Sequence, residues 1–180
     1  MLAPMAQHYN DTGFASIKHG NYKHALSLNP KLAIAYCVMA EAYIGQQQDE
    51  TGQDYCQLAL RLKPNLPEPH NLMGEICTRN QDFVAAIEHF KKAIELNPAL
   101  AEAHANLGAA YVKTSQPELA LEHCRRAFAL DETIESACLN AGFACWLRDD
   151  REGLVKWFER AALRGNEYAQ KTLEELVQED

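Results

Sequence analysis

The chain has 180 residues, 47% of them hydrophobic, which is enough to bury a sizeable core and excludes an intrinsically disordered protein. Its formal net charge is -8 and no Lys/Arg-rich run interrupts it, so a nucleic-acid partner is not expected, whereas a basic or apolar protein segment suits such a surface. No apolar stretch approaches the ~20 residues of a membrane-spanning helix, which argues against membrane insertion.

The opening MLAPMAQHYND lacks the charged and apolar segments of a secretory signal, so a cytoplasmic location is expected. The glycosylation-like Asn10-Asp11-Thr12 is then a chance match. The six cysteines, Cys37, Cys56, Cys77, Cys124, Cys138 and Cys145, contain no C-x-x-C pair. They are expected to be reduced and to pack as small apolar side chains.

In chain order the sequence reads as a series of two-helix units. A first, shortened unit over about residues 6–32 carries Gly13, the turn Gly20-Asn21-Tyr22, Ala25 and a closing Asn29-Pro30. The second, 33–66, sets Tyr36, Ala40 and Tyr43 on one helix, and Gly52, Cys56 and Ala59 on the next, before Lys63-Pro64. Gly52 would let two helices approach closely, at a cost of about 1 kcal/mol in helix propensity.

The third unit, 67–100, opens with Pro67 and Pro69, where a missing N–H costs little. Gly74 follows, then the turn Gln81-Asp82, then Ala86, Phe90 and Ala93, and Asn97-Pro98 closes the unit. In the fourth, 101–134, the residues Leu107, Gly108, Tyr111, Ala120 and Ala127 repeat Met73, Gly74, Cys77, Ala86 and Ala93 one period later. The fifth, 135–166, keeps Gly142, Cys145, Phe158 and Ala161, and Arg164-Gly165-Asn166 replaces the closing proline with a glycine stop. A last amphipathic helix over 167–178 offers Tyr168, Leu173, Leu176 and Val177 to cover the final repeat.

This order of Gly, Tyr, Ala, Phe and Pro at a period of 34 residues resembles the tetratricopeptide repeat. The resemblance covers nearly the whole chain. It implies an all-α, right-handed superhelical solenoid, read as one domain over 1–180, with a concave groove lined by the first helix of each repeat. It also implies a non-enzymatic scaffold for protein–protein interaction. The alternatives are the substrate-recruiting arm of a larger enzyme, or an assembly factor for a bacterial secretion or pilus machine that self-associates through its repeat ends.

Catalytic signatures are missing: no Gly-rich phosphate loop, H-E-x-x-H or G-x-S-x-G occurs, so no catalytic residue and no cofactor is expected. His70 and His104 stand one period apart, as do His89 and His123, but no carboxylate or thiolate set completes a metal site around them. They are expected to pack between helices.

The groove is the better candidate. Asn106 and Asn140 hold the same inward slot in successive repeats, within HANLG and CLNAG. The pattern resembles the asparagine ladder in the repeat arm of O-GlcNAc transferases, where amides hold the backbone of an extended peptide. An amide can both donate to and accept from a peptide unit whatever side chain it carries. Asn71 lies one place out of that register. Glu75, with Glu41, Glu68 and Glu102, makes the middle of the expected groove acidic, relieved by Arg79 and Lys113. Phe143 and Trp146, with Leu139 and Leu147, make its C-terminal end apolar, partly covered by the last helix. Glu41 and Glu75 would repel a carboxylate, which rules out the carboxylate clamp known in this family.

Overall fold

The computed structural model describes residues 29 and 32–178. The shortened first unit over 6–32 lies outside the described residues, apart from Asn29 and Leu32. The described residues form nine α-helices and no strand: α1 Ala33–Gly45, α2 Asp49–Leu62, α3 Pro67–Arg79, α4 Phe83–Leu96, α5 Ala101–Lys113, α6 Pro117–Leu130, α7 Glu135–Leu147, α8 Arg151–Ala162 and α9 Glu167–Gln178. The all-α class expected from the sequence is the one observed.

The period is written in the backbone as well as in the side chains. Gln47, Gln81, Ser115 and Asp149 all have positive φ, between 55° and 62°, and they stand one 34-residue period apart. Each ends the first helix of a pair. The following N–H reaches back across the turn, from Gln48 to the Tyr43 carbonyl, Asp82 to Cys77, Gln116 to Tyr111 and Asp150 to Cys145, all at 2.9 Å. A left-handed residue with this long backward bond satisfies carbonyls that a helix end would otherwise leave bare. The next helix starts at once. Asp82 and Asp150 cap it by accepting the N–H of Ala85 at 3.0 Å and of Gly153 at 2.8 Å. The glycine stop read at residue 165 is present too: Gly165 has φ 91° and ends α8.

Division into two compact units falls between Ile76 and Cys77. In the first, α1 and α2 pack through Ala40, Ile44 and Cys56, joined by Leu72 and Ile76 of α3. A Cβ on Gly52 would stand 2.4 Å from Ile44 Cγ1, so the close approach expected there is real. A second cluster joins Ala33 and Cys37 to Ala59 and Leu66.

In the second unit α4 to α9 pack in sequence, and α5 and α7, the first helices of successive pairs, also lie side by side. Its core runs from Ala86 and Phe90 through Leu107, Tyr111 and Cys124 to Cys145, Trp157 and Phe158. The repeated alanines Ala86, Ala93, Ala120 and Ala127 are all fully buried, because helix axes this close leave room for a methyl group only. The last helix differs from its sequence reading. Val177 is 77% exposed and Tyr168 55%, while Ala169 is fully buried with Leu173 and Leu176 beside it. Arg151 Nη2 donates to the Leu176 carbonyl at 2.9 Å and ties α9 to α8.

Candidate functional site

The accessible face of α5 is a stripe of Glu102, Asn106, Ala109 and Lys113; on α7 the matching stripe is Ser136, Asn140, Phe143 and Leu147. Spacings of three and four residues put each set on one side of its helix. The opposite sides are consumed by packing: Ala103, Leu107, Ala110 and Tyr111 on α5, and Ala137, Ala141, Ala144 and Cys145 on α7, are buried. Because α5 and α7 are neighbours, the two stripes form one surface.

The sequence-predicted residues separate on this geometry. Asn106 and Asn140 are both half-buried, one on each helix, and Lys113 is exposed at the end of α5. Arg79 is exposed at the end of α3. Asn71 and Glu75 belong to the first unit. There Asn71 is only 4% exposed, and its Nδ2 donates to Glu75 Oε1 at 2.9 Å. One turn of helix separates the two, so burying Asn71 joins it to Glu75 and takes it out of reach of a ligand.

The apolar end is partly covered, in line with the sequence. Phe143 is half-buried, edge-on to Phe158 at 5.6 Å and tilted against Tyr168 at 6.0 Å between ring centroids. It is therefore pinned to the core under α9. Trp146 remains 66% exposed and Leu147 37%, so the last helix covers one part of the apolar end and leaves the other open.

The six cysteines are free, and all but the half-buried Cys77 are buried. Burial holds the thiols of Cys37, Cys56 and Cys124 up to about 12, and shifts those of Cys77, Cys138 and Cys145 upward as well. Neutral, enclosed thiols act as apolar filling, as read from their repeat slots. Among the described residues no group of three His, Cys, Asp or Glu could hold a metal, and no helix is long and apolar enough to cross a membrane. His104 and His123 do pack between helices, but with a pairing that the repeat period does not indicate. His104 and His123 stack at 5.2 Å between ring centroids, 27° from parallel. They are 19 residues apart, so a search at the repeat period passes over them.

Helix pairs at this period, with small residues where the axes meet and an open face on the first helices, define an all-α helical-repeat protein. Family models agree: one described as "Tetratricopeptide repeat" matches residues 33–66 and 101–134, and one described as "TPR repeat" matches residues 74–115. The chain belongs to the tetratricopeptide repeat family, whose members are protein-interaction modules and typically non-catalytic.

No curated protein matches the chain in sequence. Solved structures that resemble it include YrrB, "a TPR protein with an unusual peptide-binding site", at 18% identity and TM-score 0.67, covering 93% of this chain and 90% of that one. PilW, a "widely conserved type IV pilus biogenesis factor", is similar at 20% identity and TM-score 0.70, over 97% of this chain and 92% of that one. The first TPR of Spaghetti (RPAP3), bound to the HSP90 peptide SRMEEVD, is similar at 21% identity and TM-score 0.59, over 62% of this chain and 90% of that one.

Proposed function

We propose that this protein is a non-enzymatic scaffold that holds an extended segment of a partner protein on the face formed by α5 and α7. The observation that carries the reading is the pair of asparagines. Asn106 and Asn140 are one period apart, on helices that touch, and each stands in the accessible stripe of its helix. Amides in that arrangement suit successive peptide units of one extended strand. Trp146, exposed beyond Asn140, supplies an aromatic surface of the kind that dominates binding energy at protein interfaces. Phe143 stands in the same stripe of α7 as Asn140, and Lys113 is an exposed charge at the end of α5.

The net charge of -8 favours a basic or apolar segment over an acidic one. The family's role as an interaction module supports the same class of function. So do the peptide-binding site named for YrrB and the bound peptide of Spaghetti.

The test starts from an unbiased peptide-display selection on the full chain. The affinity of the selected peptides is then measured for wild type, Asn106→Ala/Asn140→Ala and Trp146→Ala. Two hydrogen bonds worth about 0.5–1.5 kcal/mol each predict a loss of roughly fivefold to 150-fold for the double variant. Unchanged affinity in both variants, with helicity intact, would move the binding surface elsewhere.

A further inference from the structure

Where α5 meets α6, the proton positions of two histidines are fixed by their surroundings. His104, on α5, is 6% exposed, with its Nε2 3.2 Å from the Pro98 carbonyl oxygen and its Nδ1 2.9 Å from Nδ1 of His123 on α6. A carbonyl oxygen can only accept, so the His104 proton sits on Nε2 and leaves Nδ1 as an acceptor. His123 must then donate from its own Nδ1. The Tyr111 ring stacks on His123 at 5.8 Å, so aromatic surface encloses the pair further.

One arrangement of protons satisfies this geometry. The first proton added to the pair leaves a single Nδ1–H between the rings, donated by the imidazolium to the neutral ring whichever of the two carries the charge. A proton added to His123 goes to its Nε2 and keeps the bond, but sets an imidazolium in the same enclosed site. The first proton charges the joint, and the second sets two N–H groups face to face at 2.9 Å and removes the hydrogen bond outright. We propose that His104 and His123 form a proton-operated latch between α5 and α6, closed at neutral pH and released by mild acid.

Burial disfavours a proton on either ring, the Pro98 carbonyl favours one on His104, and charges of both signs stand around the pair. Arg126 of α6 opposes a proton on His104, and Lys91 of α4 opposes one on His123, as does His104 itself; Glu122 of α6 favours protonation of both. Glu118, Arg125 and Arg148 line the same open cavity of about 680 Å³. Burial, the largest influence, holds both rings below the ordinary imidazole range.

With folded-state values depressed, the unfolded chain takes up protons first. The stabilisation is complete above about pH 6.5, and it is lost as pH falls from there through the folded values. Each proton can raise the unfolding constant by at most about tenfold per pH unit over that window.

The test has two arms on the full chain. At pH 7.5, nitrogen NMR of labelled histidine should find the Nε2–H form of His104, the Nδ1–H form of His123, and a scalar coupling between the two Nδ1 atoms that disappears on acidification. Urea unfolding from pH 7.5 to 5 should show the wild-type constant rising more steeply than that of His104→Gln/His123→Asn, by up to about one hundredfold per pH unit for two protons. If the double variant does not fold, His123→Asn alone, which keeps a donor at the Nδ1 position, should lose about one proton of that slope. Equal slopes in wild type and variant would overturn the proposal, as would two Nε2–H rings with no coupling at neutral pH.

Discussion

Gly142→Ala puts the packing account at risk, because the same substitution has opposite signs at two places. On α7, a Cβ at Gly142 would lie 2.2 Å from Phe158 Cε1 and 2.3 Å from Cδ1. Carbon atoms in contact prefer about 3.5–4.0 Å. The Phe158 ring has little room to retreat: it is 1% exposed, with Phe143 at 5.6 Å and Tyr168 at 6.1 Å. Overpacking of this kind costs about 1–3 kcal/mol, and the depth of the overlap puts it near the upper end. Alanine returns about 1 kcal/mol of helix propensity. The net expectation is a loss of about 2 kcal/mol.

Gly45→Ala is the control, since a Cβ there meets no heavy atom within 4 Å. It should be neutral or stabilising, by up to about 1 kcal/mol. Urea unfolding followed by circular dichroism at 222 nm measures both. Phe158→Leu in the Gly142→Ala background should recover part of the loss, with a coupling of at least about 1 kcal/mol. Were Gly142→Ala to stabilise the protein as Gly45→Ala does, the assignment of Gly142 to a close helix contact would be wrong.

The turns give a second prediction. Ser115 has φ 55°, where a side chain is strained, so Ser115→Gly should raise stability by about 1 kcal/mol; a loss would mean that the left-handed turn does not hold. The thiols give a third. With Cys37, Cys56 and Cys124 held up to about 12, only about one thiolate in ten thousand is present at pH 8. Ellman's reagent should leave these three unlabelled in the native protein and label them once it is unfolded. Rapid labelling of all six cysteines without denaturant would contradict the enclosed packing.

Much of the fold was legible because it is local and periodic. Ala86, Ala93, Ala120 and Ala127 recur one period apart and all are fully buried, since each marks the place where two helix axes come closest. Gly165 stopped its helix as a glycine with positive φ does. What the period does not specify is which side chains meet once helices cross. His104 and His123 come from unlike positions of adjoining helices, and only the crossing brings their nitrogens to 2.9 Å.

On α9, large apolar residues drew the reading toward Tyr168 and Val177. The closest fit takes Ala169, while Leu173 and Leu176 lie beside the core and the half-exposed Tyr168 sets its ring against Phe143 and Phe158. Asn71, one place out of the inward register, is buried, and its Nδ2 donates to Glu75. Phe143 and Trp146 belong to one apolar run, but only α9 distinguishes the ring it covers from the one it leaves open.

Binding of a peptide segment across α5 and α7 is tested most directly by nitrogen–proton NMR of the full chain titrated with a display-selected peptide. Binding across this face shifts the side-chain amide signals of Asn106 and Asn140 and the indole N–H of Trp146 together, with one dissociation constant. Shifts confined to α6 or α8, with those three signals unmoved at saturation, would contradict it.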